Sequence, residues 1–527
     1  MRVDLRTIRK SEWLGVALLG AMGFGVRGFG QGTVPAPPTD AQISSGPETL
    51  QVTAQRVVLD VVVTNKKGEI MRGLKQDDFT VYEDKVAQGI NSFEEVEAKT
   101  AAPAVVNSTA ELDQTEPDAP VSILVIDELT TKFVDLAFAR YSLKKYLKAQ
   151  GDTLEQPTLL IAVNYRNISV LRDYTTSRKA ILDALDHHMA NYAEVARAGN
   201  PSWQGEQINA AFGSLIGVAE ATAGHRGHKN MVWIGRGFPP VNLAALLTDM
   251  QNDFLDEVAV CTRLLRDSRV TLYSVDPAGI ATVPPPVDAD GFWVDDPFGG
   301  QVDFDTMAVA TGGRALHGRN DVDAMIDESV RDGGSFYTLA YKPVMKIETP
   351  NAFRKIRVVM KDSALRASTR AGYFVAPTAV APVREANGKF SKRLIFDMSV
   401  ASASQLVYDG VPLSVSRDQP AGDTFGLTVH AADLPLEVDG SQKPSAALTV
   451  LVESFDRKGK MLDHNARILT VRMAARAASA GPDTRTVRLP VSISTKAPVV
   501  RLRFVVRANS TGKVGAENYF LVGPKEK

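Results

Sequence analysis

The spacing of apolar residues changes along the chain, and each change marks a different kind of element. Between residues 50 and 98 the alternation is short. Val57–Val63 and Phe79–Tyr82 read as half-buried strands on either side of the Asn65-Lys-Lys-Gly68 turn, and Gly89–Phe93 as a further short strand. From 120 to 335, compact apolar runs alternate with helical spacing, which predicts a mainly parallel sheet. Val121–Ile126 is apolar except for Ser122, as suits a strand buried on both faces.

A helix is expected from Val134 to Lys148, strands at Thr158–Val163 and Ile168–Leu171, and a Ser177-capped helix ending near Met189. Glu206–Ala223 and Leu243–Asp267 read as helices, Met231–Ile234 and Val270–Val275 as strands, with 279–302 a Pro- and Gly-rich insertion. Thr306–Ala310, Arg314–Leu316 and Val322–Val330 close the unit as helix, strand and helix.

At Phe336 the period returns to two. Phe336–Tyr341, Arg354–Met360 and Leu365–Thr369 would be marginal as a free-standing sheet. Segment 336–376 is therefore expected to pair with 50–98, forming a split β domain around the α/β unit. Residues 96–119 read as a linker, and 385–527 as an all-β sandwich of roughly six or seven strands.

Composition narrows the class. The chain has 527 residues, 44% hydrophobic and 23% charged, with net charge -1. That balance supplies no basic field for nucleic acid. Arg2, Arg6, Arg9 and Lys10 precede the apolar run Trp13–Val26, which is too short to span a bilayer. Residues 1–30 read as an export signal, followed by a flexible spacer at 31–49. Export is expected, with membrane contact only through that signal. Cys261 is the single cysteine, so no intrachain disulfide forms.

Candidate chemistry lies where the opening strand ends, at Asp127-Glu-Leu-Thr-Thr131. In open α/β sheets ligands bind outside the carboxyl ends of the strands. This segment resembles the first strand and metal loop, Asp-x-Ser-x-Ser, of a von Willebrand factor A domain. With Val58–Thr64, Gly73–Asp84, Lys229–Ile234 and Arg370–Phe374, the chain resembles exported bacterial proteins of the acidobacterial VWFA-related type over roughly 50 to 376.

The resemblance implies a doubly wound α/β fold and a Mg²⁺ site held by Asp127 and Thr131, with Thr175 or Thr176 supplying a second-loop hydroxyl. Leu129 replaces the loop's first serine, and Arg236 stands where the family carries its third-loop aspartate, so the site is degenerate. A cation there opposes Mg²⁺ and is expected to pair with Asp127 or Glu128 instead. Glu128, Thr130, Thr176 and Arg236 make the expected binding surface. Its expected partner is another protein or a cell-surface polymer.

His225-Arg-Gly-His228 reads as a solvated basic loop rather than a zinc site, and His187-His188 as the end of a helix. Asp288-Ala-Asp-Gly291 lacks the acids of a Ca²⁺ loop, but Asp295, Asp296, Asp303 and Asp305 form a loose acidic patch. No Gly-x-Ser-x-Gly, phosphate-cradling or His-Glu-x-x-His motif is present. A non-enzymatic adhesion protein is expected. The alternatives are a secreted hydrolase or carbohydrate-active enzyme using the 288–305 acids, and an envelope scaffold.

Overall fold

The computed structural model describes residues 2–7, 56–97, 105–190 except 166, 201–279, 298, 301–344, 352–375, 382–385 and 388–521 except 421, 439–443, 474–484 and 497. The protein is mixed α/β, with a mostly parallel six-stranded sheet and several antiparallel sheets. Across the six-stranded sheet the strands run Ala315–Leu316, Val270–Val275, Lys229–Ile234, Val121–Asp127, Thr153–Val163 and Ile168–Ser177. All are parallel except the last, which returns antiparallel along the edge.

Strand alternation sends successive side chains into two cores. Ile123 and Val125 face Phe212, Leu215 and Ile216 of helix Pro201–Ala221 and Val258, Cys261 and Leu265 of helix Thr248–Asp267. Leu124 and Ile126 face Leu136, Leu143 and Leu147 of helix Phe133–Ala149, together with Ile181, Leu185, Met325 and Ile326. Each fully buried Leu or Ile contributes about 1.5–3 kcal/mol.

The flanking β segments make two small sheets. Ser335–Tyr341 lies between Val57–Thr64 and Ile90–Glu97, while Phe353–Met360 pairs with Phe79–Glu83. They share a core of Leu59, Val61, Val81, Leu339 and Ile356. Buried Asp60 ties this unit to the amino end of the large sheet. It accepts from His228 Nδ1 at 2.8 Å, Arg269 Nη2 at 2.7 Å and the Thr338 hydroxyl at 3.0 Å.

Beyond 388, two antiparallel sheets face each other across Leu448, Val450, Phe504, Phe425, Leu427 and Leu489. The region is not all β. Ser391 caps helix Lys392–Ala403, whose Leu394, Met398 and Ala401 pack into the α/β core at helical spacing. Gly213 and Gly217 permit this approach. A Cβ at Gly213 would lie 3.1 Å from Val400, and one at Gly217 2.7 Å from the Tyr408 hydroxyl.

The segment read as linker 96–119 contains helix Thr109–Thr115, capped by Ser108. Arg2–Thr7, the charged start of the segment read as an export signal, pairs antiparallel with Arg467–Arg472. The run Trp13–Val26 and the spacer 31–49 lie outside the described residues. No helix among the described residues is long and apolar enough to cross a membrane.

Candidate functional site

The opening strand sits at the switch point of the sheet, with Thr153–Val163 on one side and Lys229–Ile234 on the other. Asp127 ends it beside the Gly235-Arg-Gly237 turn. Its side chain is fully buried. Oδ1 accepts the backbone N–H of Leu129 and of Thr130, both at 2.9 Å. Oδ2 accepts the Trp233 indole N–H at 3.1 Å, the Gly237 N–H at 3.0 Å and the Thr130 hydroxyl. A carboxylate offers about four lone-pair positions, so five donors saturate it.

The glycines follow from this crowding. A Cβ at Gly235 would stand 2.2 Å from Asp127 Cβ and 2.5 Å from Thr131 Oγ1. Gly237 has φ +62°, and its Cβ would meet the Phe304 ring at 2.0 Å. Thr131 is buried, and its hydroxyl accepts the Arg236 N–H at 3.2 Å.

These residues do not fit Mg²⁺, which needs near-octahedral oxygen ligands at about 2.0–2.1 Å. The Asp127 oxygens are already engaged by neutral donors. Thr175 and Thr176 are also at the wrong end. Because their strand is antiparallel, Thr175 pairs with Thr158, which pairs with Ser122, whereas Asp127 pairs with Val163. Five residues of strand separate the two levels, roughly 16 Å. The threonines serve the edge instead: Thr176 Oγ1 accepts from Val106 N at 3.2 Å, and Thr175 Oγ1 from Ser177 N at 3.1 Å.

Glu128 is buried, and its Oε1 meets His188 Nε2 at 2.5 Å. Arg236 is exposed and pairs with neither Asp127 nor Glu128. Its Nε lies 3.6 Å from Asp276 Oδ2. The reason is geometric: Asp127 is enclosed beneath the turn, while Asp276 follows the neighbouring strand Val270–Val275 at the same rim.

Asp276 was missed in the sequence, although it ends its strand as Asp127 ends the opening one. Near it, burial pushes the Asp305 carboxyl up, opposed by a hydrogen bond with Ser274; Asp303 and Asp276 add to the rise. Asp303 itself caps helix Phe304–Ala310, accepting Thr306 N at 2.7 Å. Asp288, Asp295 and Asp296 lie outside the described residues.

The two histidines of the 225–228 segment are not solvated. His225 is buried with Nε2 2.8 Å from Ala119 O and Nδ1 3.5 Å from Asp113; burial lowers its pKa. His228 is held by Asp60. Among the described residues, no group of three or more His, Cys, Asp or Glu side chains is arranged to hold a metal.

No protein-family model and no curated protein matches the sequence. A solved structure similar to part of the chain is proximal thread matrix protein 1 from the mussel byssus. The two are 11% identical, the match covers 30% of this chain and 39% of that one, and the TM-score is 0.19. Overlap that slight carries no argument about fold or function.

Proposed function

We propose that this is an exported, non-enzymatic binding protein whose von Willebrand A-like domain presents its carboxyl-end rim to another protein or a surface polymer without a metal ion. One observation carries the reading: a rigid turn at the switch point, pinned to Asp127 by hydrogen bonds, holds exposed Arg236 beside Asp276. Thr130, Glu128 and Thr131 build the support beneath that surface rather than contacting the partner.

The test is retention of envelope protein and polysaccharide fractions on immobilised full-length chain, with and without chelator. Arg236→Glu should abolish retention and chelator should leave it intact. Retention that survives Arg236→Glu, or that needs a divalent ion, contradicts the proposal. A hydrolase is the second reading, favoured by the raised carboxyl of Asp305 beside Asp276 and Asp303. Glycan or ester hydrolysis lost in Asp305→Asn would support it.

A further inference from the structure

Arg370-Ala-Gly-Tyr-Phe374, one of the stretches singled out in the sequence, plays no part at the carboxyl-end rim. Its strand Gly372–Phe374 pairs with Phe353–Met360 and packs on helix Thr248–Asp267. Arg370 is 8% exposed, and among the described residues its side chain makes no hydrogen bond or ion pair. Burial pushes its guanidinium down to about 10; Asp60 opposes that, and Arg266 and Arg269 add to it. At neutral pH the group is therefore a buried cation.

A buried charge left unpaired is costly, so something must balance it. Asp60, the acid that does most to favour this charge, is already held by His228, Arg269 and the Thr338 hydroxyl. Asp267 is engaged by Arg266, whose Nε and Nη2 lie 2.7 and 2.6 Å from its Oδ1. Both acids are thus spoken for.

Arg266 and Arg370 line one cleft at this seam between the α/β and split β units. Arg266 Nη1, the group not used by Asp267, reaches Phe374 O only at 3.5 Å, too long for a strong bond. The cleft's two threonines offer no donor. Thr262 gives its hydroxyl hydrogen to Val258 O at 2.8 Å, and Thr311 gives its own to Ala308 O at 2.8 Å. Val270, Phe353 and Phe374 supply apolar walls. The space is about 10 Å³, room for one atom-sized guest. Sulfate, phosphate and carboxylate groups are too large for it. The carboxyl end of the helix bearing Arg266 opposes an anion with about half a charge, which two guanidinium groups outweigh.

We propose that this cleft binds one halide ion, chloride under physiological conditions, between the guanidinium groups of Arg370 and Arg266. A water molecule would fill the same space but leave the charge unbalanced. Val270 begins its strand, so the cleft lies at the amino end of the sheet, away from Asp276. The site is independent of the binding role assigned to Arg236.

Thermal melting of the full chain in chloride, bromide or gluconate at one ionic strength tests the proposal, together with anomalous diffraction from crystals grown in bromide. For a site of about 10 mM affinity, about 200 mM chloride should raise Tm by roughly 4–7 °C over gluconate, and the rise should saturate. Bromide should act alike and give an anomalous peak between Arg370 and Arg266. Arg370→Met should abolish both the rise and the peak. If that variant does not fold, Arg266→Gln carries the test, and should move the chloride midpoint up by about 10-fold or more. Equal melting in chloride and gluconate overturns the proposal. So does a chloride effect that survives Arg370→Met unchanged, or one unmoved by Arg266→Gln. A cleft that holds only water in bromide crystals, or a bromide peak with no effect on melting (an adventitious ion only), overturns it too.

Discussion

Replacing Asp127 by Asn is the sharpest test of how the rim is built. The change is nearly isosteric, so packing is preserved and only hydrogen bonding is altered. On one side of the carboxylate stand the N–H groups of Leu129 and Thr130; on the other, those of Trp233 and Gly237. Whichever way an asparagine turns, its NH₂ meets two buried donors. A buried donor left unsatisfied costs about 1–3 kcal/mol. With partial relaxation, the two orphaned donors and the weakened remaining bonds give a loss of roughly 3–4 kcal/mol.

For a unit of 150–250 residues that loss lowers Tm by roughly 6–16 °C. Thermal melting followed by circular dichroism, with Mg²⁺ and with chelator, reads it directly. The wild type should melt identically in both. An Asn variant within a degree or two of wild type would refute the saturated-carboxylate account. Stabilisation of wild type by Mg²⁺ that disappears in the variant would restore the metal site.

Gly235→Ala and Gly237→Ala should each destabilise by about 1–3 kcal/mol through overpacking, against Asp127 and Phe304 respectively, measurable by urea unfolding. Asp60 lies well below the ordinary carboxylate range: burial alone would raise it, but hydrogen bonds and charges from His228 and Arg269 outweigh that. Its stabilisation is therefore complete above the unfolded pKa of about 3.9 and lost as pH falls further. Asp60→Asn should flatten the acid limb of a Tm–pH curve; an unchanged limb contradicts the assignment.

Glu220 is the opposite case, pushed up to about 8 by burial and then by Asp397, against Arg393 and Arg507. Its contribution is full below about pH 4.3, declines as pH rises, and is lost on passing about 8. Glu220→Gln should gain Tm relative to wild type at pH 8.5 more than at pH 5, and equal gains would show that no proton is held there.

The central sheet was legible because strands buried on both faces leave continuous apolar runs, as at Val121–Ile126 and Met231–Ile234. The helix Lys392–Ala403 was not, because its apolar residues serve a neighbouring unit's core and are interrupted by Arg393 and Asp397. Asp127 was recognisable as an end-of-strand acid, but its burial was not, since two of the donors that enclose it, Trp233 and Gly237, lie 106 and 110 residues further along the chain. Thr175 was misplaced for one reason: Ile168–Ser177 extends past Leu171 and runs antiparallel, which carries its end to the amino edge. Histidines 225 and 228 looked solvated because their acids, Asp113 and Asp60, are remote in sequence.

Part of the buried charge among the described residues lies at a seam between units, and that placement is testable. Asp397, Arg507 and Arg503 are essentially unexposed where helix Lys392–Ala403 meets strand Arg501–Ala508. Asp397 accepts Arg507 Nε at 2.8 Å, and Arg503 donates to Ala401 O at 2.9 Å. Asp397→Ala should strand Arg507 and is expected to cost about 3–5 kcal/mol, whereas Arg507→Ala should cost less, because Asp397 keeps Arg393 Nε at 2.7 Å. Replacing both by well-packed apolar residues, Asp397→Leu with Arg507→Met, should recover most of that loss, since the pair's desolvation largely cancels its attraction. If the pair fixes how the helix seats on the sheet, the double variant will regain Tm yet be cut faster by protease at the 404–412 connection. Recovery of both stability and protease resistance would mean that apolar packing alone sets the seam; a double variant no more stable than the singles would mean that the ion pair itself holds it.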